Sequence, residues 1–265
     1  MLKHINYKNT PIHFSDIGSG TVVVLLHGFL ENKDMWKPLQ PVFENRYRMI
    51  AIDLLGHGET GCVGYIHTME EQAAMVFEVI QKLKVKKAVF IGHSMGGYIA
   101  LALAEAHPKL FQGLVLLNST AKPDSDERKA NRDRAIAAVK ENHKTFVSIA
   151  VANLFGEESR SRLQTEIKYT QQEALKTPLQ GIVAALEGMK IRKDRQDILK
   201  KASFPVLLVL GKKDGVLSYE DNIDQAEHAN VTLKTLEDGH MSHLENTEEL
   251  SDLVREFLHN GNRRV

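Results

Sequence analysis

The chain has 265 residues, 43% of them apolar, and its 34 Lys and Arg residues balance 34 Asp and Glu residues. This neutral balance lacks the clustered basic surface of nucleic-acid-binding proteins, and no polybasic anchor or apolar run of 18 residues suggests a membrane partner. The lone cysteine, Cys62, rules out an intramolecular disulfide, and the polar N-terminus has no secretory signal pattern. We therefore expect a cytoplasmic protein, monomer or homodimer, that acts on a small molecule without nucleic-acid or membrane partners.

Four short apolar runs in the first half of the chain predict buried strands. They are rich in β-branched residues and end at turn residues, and they cover residues 22–26, 48–52, 88–91 and 114–117. Amphipathic helical stretches separate the second run from the third and the third from the fourth, at residues 69–83 and 97–106. Strands joined by helices of this length imply right-handed crossovers and a mostly parallel sheet.

The pattern changes after residue 120. From 121 to 201 the chain is charged, helical in period and nearly free of strand signals. Strand patterns resume at 205–210 and 231–236, and a final helix is predicted at 248–259. The simplest interpretation is an α/β core formed by residues 1–120 and 202–265, with a helical cap at 121–201 inserted after the fourth parallel strand.

The strongest motif is Gly92-His93-Ser94-Met95-Gly96, which follows a predicted strand and precedes a predicted helix. This G-x-S-x-G pattern is typical of a strained turn that exposes a nucleophilic serine. The alternative is an ordinary strand-to-helix turn that contains a serine. Ser94 is therefore the candidate nucleophile.

The loop His27-Gly28-Phe29, after the first parallel strand, supplies a candidate oxyanion hole. Acyl transfer needs two N–H donors aimed at the developing oxyanion, and we assign these to the backbones of Phe29 and Met95. Gly28 is expected to let the chain pass close to the substrate. An ordinary strand end with a glycine turn is the alternative.

Two further residues complete a candidate triad. Asp214 follows the strand at 205–210, and His240 follows the last strand, so both are expected at the edge of the sheet where parallel-sheet sites lie. There His240 would accept the proton of Ser94, and Asp214 would orient the imidazole. Asp124 and Asp126, shortly after the fourth strand, are the alternative positions for the acid.

Each of the remaining polar candidates can be interpreted either as a structural residue or as a functional one. Asp53, with Gly56 and Gly58, is interpreted as a structural turn. His93 is expected either to line the site or to pack beside it. His243 is expected to be a hydrogen-bonded or exposed histidine rather than a second base, and Glu245 is expected to support the last helix or the loop. The mixed charge run at 126–134 is either a solvated helix face or a basic contact for an anionic substrate. We expect no cofactor and no metal, since P-loop, dinucleotide-binding and H-E-x-x-H patterns are missing from the sequence.

These motifs resemble the α/β-hydrolase superfamily over nearly the whole chain. The matching segments are His27-Gly28-Phe29, 53–58, 92–97, 211–214 and Gly239-His240. The resemblance implies an α/β fold with a mostly parallel eight-stranded sheet flanked by helices, a helical cap insertion, and a serine hydrolase with Ser94, His240 and Asp214 as triad. The cap and the segment 192–195 are similar to the branch that contains small-molecule esterases, enol-lactonases and cofactor-free perhydrolases.

Hydrolysis of a small carboxylic ester or lactone through an acyl-enzyme is the leading functional hypothesis. C–C bond hydrolysis, lyase chemistry or perhydrolysis on the same triad remains an alternative. A ligand-binding receptor module with slow or no turnover is another, because a fold alone does not establish catalysis.

Overall fold

An eight-stranded sheet forms the centre of the computed structural model, which describes residues 2–43 and 46–261. Its spatial order is β1-β2-β4-β3-β5-β6-β7-β8. Strands β1 and β2 pair antiparallel, as do β2 and β4, and the remaining neighbours are parallel. The strand bounds are β1 Leu2–Tyr7, β2 Thr10–Gly18, β3 Thr21–Leu26, β4 Tyr47–Ile52, β5 Ala88–His93, β6 Phe111–Leu117, β7 Val206–Gly211 and β8 Val231–Leu236. The expected mostly parallel eight-stranded sheet is confirmed.

The central strands are apolar throughout because helices cover both faces of the sheet. Successive residues alternate between two cores: Val24 and Phe90 point to one side, and Val23 and Ile91 point to the other. The four strands predicted from the apolar runs and the two predicted at 205–210 and 231–236 all form, with ends that differ by a few residues. The antiparallel pair β1–β2 was not among those runs, and only the family resemblance implied it.

Eleven α-helices lie in the described residues. Their bounds are α1 Gln40–Phe43, α2 Met69–Lys82, α3 Met95–Ala106, α4 Asp126–Glu141, α5 His143–Leu154, α6 Glu157–Arg162, α7 Gln164–Ala174, α8 Leu179–Lys190, α9 Gln196–Lys201, α10 Ser242–Glu245 and α11 Thr247–Gly261. Helices α2 and α3 cover one face of the sheet, whereas α1, α11 and the 3-10 segment Lys33–Leu39 cover the other. None of these helices combines the length and the apolarity that a crossing of the bilayer requires.

Helices α4 to α9 occupy the interval between β6 and β7, where the sequence predicts the cap. They lie against loops that follow the parallel strands. The backbone N–H of His67 donates to the carbonyl of Ala184 in α8 at 2.9 Å, and the N–H of His240 donates to the carbonyl of Leu154 in α5 at 2.9 Å. The helical insertion is therefore positioned over the carboxyl edge of the sheet. The outer ends of the predicted core segments, residues 1 and 265, lie outside the described residues.

Candidate active site

Ser94 occupies the sharp turn between β5 and α3, with a φ of 48° and a ψ of −113°. A non-glycine residue in such a conformation costs about 1–3 kcal/mol, which the surroundings must offset. Its backbone N–H donates to the carbonyl of Leu117 at 2.9 Å, and its carbonyl accepts from the Ser119 hydroxyl at 2.8 Å. These bonds hold the strained backbone, and the serine lies at the carboxyl edge of the sheet with 9% of its surface exposed.

The two glycines of the motif are required by close backbone packing. A Cβ atom on Gly92 would lie 2.5 Å from the carbonyl of Gly96, and one on Gly96 would lie 2.1 Å from the carbonyl oxygen of Leu26. No side chain fits at either distance without movement of the main chain. The G-x-S-x-G spacing therefore reflects the contact of the turn with β3 and with its own helix.

Asp214 and His240 form a buried pair at the same edge. Nδ1 of His240 lies 2.6 Å from Oδ2 of Asp214, while Oδ1 of Asp214 accepts the backbone N–H groups of Val216 and Leu217 at 2.8 Å each. Burial acts to raise the pKa of Asp214, but the His240 ring and these N–H groups outweigh it and lower the pKa. The ionised carboxylate thus holds the proton of His240 on Nδ1, which leaves Nε2 free to accept another.

The Ser94 and His240 side chains both line a cavity of about 60 Å³ whose wall includes residues of the helical insertion. The Ser94 hydroxyl makes no hydrogen bond to any residue that the structure describes, including His240. Unliganded hydrolases often show long contacts here that shorten when substrate binds. The geometry therefore brings the nucleophile and the base to one cavity without joining them.

The two predicted oxyanion donors have backbone N–H groups that are not used in the fold. Within residues 2–43 and 46–261, no acceptor receives a hydrogen bond from the N–H of Phe29 or of Met95. Met95 is the first residue of α3, where a backbone N–H has no partner within the helix, so both N–H groups are available to an acceptor beside Ser94. His27 fixes the first of these loops, since its Nδ1 donates to the Gly28 carbonyl at 2.7 Å and its Nε2 accepts from Leu54.

Gly28 has a packing role that the sequence did not predict. A Cβ atom there would lie 2.5 Å from Oε2 of Glu31 and 2.7 Å from Nδ1 of His93. The space beside Gly28 is thus filled by a buried carboxylate and an imidazole rather than reserved for substrate. Glu31, which the sequence analysis missed, also accepts the N–H of Gly28 at 2.7 Å.

His93 and Glu31 are a buried ion pair behind the site. Nδ1 of His93 lies 2.7 Å from Glu31, and its Nε2 lies 2.9 Å from the carbonyl oxygen of His240. Since both partners are acceptors, both ring nitrogens must donate and the ring is an imidazolium. Burial acts to lower the pKa of His93, but Glu31 outweighs it and raises the pKa. Burial conversely acts to raise the pKa of Glu31, and His93 lowers it to about 2.

His243 adjoins this pair but stays neutral. Burial lowers the pKa of His243 to about 3, and its Nε2 lies 3.8 Å from Oε1 of Glu31. In the described chain, Glu31, His93 and His243 are the three side chains whose ligand atoms lie close enough together to hold a metal ion. Both nitrogens of His93 already donate hydrogen bonds, so they offer no lone pair, and the group is accounted for as an ion pair.

Glu245 organises the loop that carries His240. Its carboxylate accepts the backbone N–H groups of Gly239 at 3.2 Å, Met241 at 3.1 Å and Gly156 at 3.0 Å. Gly156 precedes α6, so the same carboxylate links the helical insertion to the loop. The expected loop-supporting role of Glu245 is consistent with these contacts.

The other acidic candidates lie away from the imidazole. Asp53 is fully buried and accepts hydrogen bonds from the backbone and Nζ of Lys33 and from the backbone of Glu59, as expected for a structural turn. Asp124 is enclosed by arginines of the helical insertion, and Asp126 is exposed at the start of α4. The carboxylate that contacts the His240 ring is therefore that of Asp214 and not that of Asp124 or Asp126.

A larger groove, with a volume of about 750 Å³, lies elsewhere. Phe111, Pro205 and Thr232 line it at the amino-terminal ends of β6, β7 and β8. Ligands of parallel sheets bind at the opposite, carboxyl ends of the strands. The smaller cavity at Ser94, which combines a nucleophile with a base, is therefore the candidate active site.

Comparison with known proteins gives matches over most of the chain. The family model described as alpha/beta hydrolase fold matches residues 21–247. A putative 2-succinyl-6-hydroxy-2,4-cyclohexadiene-1-carboxylate synthase from Bacillus subtilis is 30% identical, and the match covers 89% of each protein. A dihydrolipoyllysine-residue acetyltransferase component of the acetoin cleaving system from Pseudomonas putida is 27% identical over 90% of this chain, which spans only 64% of that protein.

Among solved structures, a thermophilic esterase from Thermogutta terrifontis, with malate bound, is similar with a TM-score of 0.91 at 30% identity. The match covers 98% of this chain and 99% of that one. The recognition made from the motifs is thereby confirmed, as is the hydrolase fold. Because the family model spans well over half of its residues, the chain belongs to the α/β-hydrolase-fold family.

Proposed function

We propose that the protein hydrolyses a small carboxylic ester or lactone through an acyl-enzyme on Ser94. The observation that carries this proposal is the shared cavity, which brings the strained Ser94 and the Asp214-bound His240 together. The unpaired N–H groups of Phe29 and Met95 supply the donors that an oxyanion needs. Similarity to an esterase over nearly the full chain supports the same reaction class.

In the proposed acylation, Nε2 of His240 removes the proton of the Ser94 hydroxyl as the oxygen attacks the substrate carbonyl carbon. The negative charge that develops on the carbonyl oxygen is stabilised by the N–H groups of Phe29 and Met95. Asp214 keeps the Nδ1–H tautomer and stabilises the imidazolium. Collapse of the tetrahedral intermediate breaks the ester bond, and the alcohol leaves with the proton from His240.

Deacylation repeats these steps with water as the nucleophile. His240 accepts a proton from the water molecule, which attacks the acyl carbonyl, and then returns a proton to the Ser94 oxygen as the acid leaves. For a lactone, the alcohol and the acid remain parts of one product. We further propose that residues 121–201 act as a cap, since Arg128, Ala150 and Met189 from this segment line the cavity.

Turnover of short-chain p-nitrophenyl esters tests the proposal. We expect Ser94→Ala and His240→Ala to lower kcat by roughly 10⁴-fold or more, because the residues of a triad act as a unit. Ser161→Ala, an exposed serine of α6, is the matched control and should leave the rate unchanged. Equal rates in wild type and Ser94→Ala would refute the assignment.

C–C bond or lyase chemistry on the same three residues is a second candidate. The observation that favours it is the match to the Bacillus subtilis protein, whose name denotes a synthase rather than an esterase. Comparison of kcat/KM across esters, lactones and C–C cleavage substrates would separate the two, since a hydrolase of esters should favour the first two classes.

A further inference from the structure

The cavity at Ser94 is lined by cationic side chains without an acidic counterpart. Arg128 and Arg132 of α4 contribute to its wall, and no Asp or Glu among the described residues does so. The rest of the wall is mainly apolar, with Phe29, Tyr98 and Met189 as its largest such members. A cavity of this composition favours a ligand with an apolar body and a negative charge.

The arginines owe their position to one buried carboxylate, Asp124. Its side chain is fully buried and accepts from Nε of Arg128 at 3.2 Å, from Nε of Arg132 at 3.0 Å and from Arg192. Burial acts to raise the pKa of Asp124, but Arg132 and Arg192 outweigh it and lower the pKa. One negative charge therefore faces three positive charges, and the cluster keeps an excess of positive charge.

Arg192 serves the fold and does not line the cavity at Ser94. Its guanidinium is almost fully buried, lies over the ring of Tyr98 at 4.2 Å, and donates to the carbonyls of Lys122 and Met189 as well as to Asp124. It acts as a structural cation that helps to hold Asp124. The excess positive charge consequently resides on the two arginines that face the cavity.

Arg132 presents an unused hydrogen-bonding edge. Nothing in residues 2–43 and 46–261 accepts a hydrogen bond from its Nη1 or Nη2, although its side chain is only 16% exposed. Arg128 is partly used, since its Nη1 donates to the carbonyl of Val216 at 2.8 Å. Because Asp124 binds Arg132 through Nε, the paired Nη groups are held in a fixed orientation. Such a fork matches the two oxygens of a carboxylate.

We propose that Arg132, assisted by Arg128, binds a carboxylate group of the substrate, so that the preferred substrate is a short ester or lactone that carries a free carboxylate. This inference rests on the proposed function for the ester part and on the arginine geometry for the acid part. Because Arg132 and Ser94 line the same cavity of about 60 Å³, we expect a short spacer between the carboxylate and the reacting carbonyl. The proposal also favours a substrate contact for Arg128 and Arg132, which belong to the charge run at 126–134. The exposed residues of that run remain a solvated helix face.

The test compares monomethyl glutarate with its neutral counterpart, methyl glutaramate. These esters have nearly the same shape and differ in the charge of the distal group. We expect the wild-type kcat/KM to be at least tenfold higher for the acid. Loss of charge-assisted hydrogen bonds in Arg132→Gln should reduce this acid-to-amide ratio by roughly 10- to 100-fold. Arg134→Gln, an exposed arginine on the same helix, should leave the ratio unchanged.

Binding to the Ser94→Ala protein, measured by calorimetry with the same two esters, separates the two levels of the argument. If the wild type hydrolyses neither ester, the proposed function fails for these substrates, and the binding preference still decides the arginine site. Equal affinity for the acid and the amide, or a preference that survives in both Arg132→Gln and Arg128→Gln, would overturn the inference. Arg132→Lys keeps the charge without the fork, should retain only part of the preference, and replaces the glutamine variant should that variant not fold.

Discussion

Nε2 of His93 donates a hydrogen bond of 2.9 Å to the carbonyl oxygen of His240. The residue before the candidate nucleophile thus holds the backbone of the candidate base. The same imidazolium is anchored by Glu31 at 2.7 Å, which in turn binds the N–H of Gly28 beside the oxyanion loop. Three segments far apart in the chain are therefore fixed relative to one another by one buried ion pair.

Removal of one partner of this pair should destabilise the fold. The folded pKa of Glu31 is lowered to about 2 from 4.5, so its contribution is fully present above pH 4.5 and is lost as the pH falls toward 2. That shift corresponds to about 3 kcal/mol at neutral pH. We expect Glu31→Gln to lose roughly this much unfolding free energy at pH 7, with the difference shrinking below pH 4.5.

Urea unfolding of both proteins across pH 3 to 8 measures this effect. The exposed Glu220→Gln serves as control and should follow the wild-type curve. The contribution of His93 to stability has the opposite dependence on pH, because its pKa is raised. This contribution is fully present below pH 6.5 and is lost as the pH rises through the raised pKa. A Glu31→Gln protein as stable as wild type at pH 7 would show that the pair does not hold the site together.

The backbone contact of Gly96 predicts a large effect of one methyl group. Gly96→Ala places a Cβ atom 2.1 Å from the carbonyl of Leu26, so the turn or β3 must move. We expect a loss of roughly 2–4 kcal/mol in stability, together with loss of activity, because the shift displaces Ser94. Gly215→Ala is the matched control, since its nearest neighbour would be 3.9 Å away. Similar melting temperatures for both variants would argue against the turn geometry.

Asp238 should affect the free energy of unfolding with the opposite dependence on pH to Glu31. Burial raises its pKa to about 7 from 3.8, with the Ser242 hydroxyl lowering it only in part. A raised carboxyl pKa means that stability falls as the pH rises from about 4 to about 7 and then levels off. We expect Asp238→Asn to gain stability over wild type at pH 8, by roughly 2–4 kcal/mol, and to lose this advantage near pH 4. Thermal melts at the two pH values check this, and an equal difference at both would contradict it.

Glu245 should act on the rate through the His240 loop. Glu245→Ala leaves the N–H groups of Gly156, Gly239 and Met241 without their shared acceptor. We expect kcat to fall by roughly tenfold or more, while hydrogen exchange at residues 239–241 becomes faster. Unchanged exchange at these amides in the variant would show that the carboxylate is not what orders the loop.

Much of the fold follows from local sequence patterns. Continuous apolar runs mark the five strands β3 to β7, since a parallel sheet covered on both faces has no polar side, whereas β8 at the sheet edge mixes polar and apolar residues. The β1–β2 hairpin was not predicted from the sequence pattern, because one of its faces is partly exposed and its turn, Lys8-Asn9, lacks the usual glycine. Both turn residues adopt positive φ, 46° and 64°, as a two-residue hairpin turn requires. The spacing of Ile12 and Phe14, two apolar residues separated by His13, was the available sequence signal, and both side chains are buried in β2.

Some residues of the candidate site could be predicted from the sequence, and others could not. Ser94, Asp214 and His240 were found because each follows a strand, and strand ends converge at one edge. Glu31 was missed because its partners cannot be read from a local pattern. It accepts the N–H of Gly28, three residues earlier, and pairs with His93, which lies 62 positions away in the sequence. The convergence of Arg128 and Arg132 on the cavity depends equally on how α4 packs, which no local pattern encodes.

Covalent labelling tests the central claim most directly. A fluorophosphonate reacts with a serine that a neighbouring base activates, and peptide mapping by mass spectrometry then identifies the modified residue. We expect rapid, stoichiometric modification of Ser94 in the folded protein, much slower modification in His240→Ala and no modification in Ser94→Ala. Modification at another serine, or an unreactive Ser94 in folded wild-type protein, would contradict it.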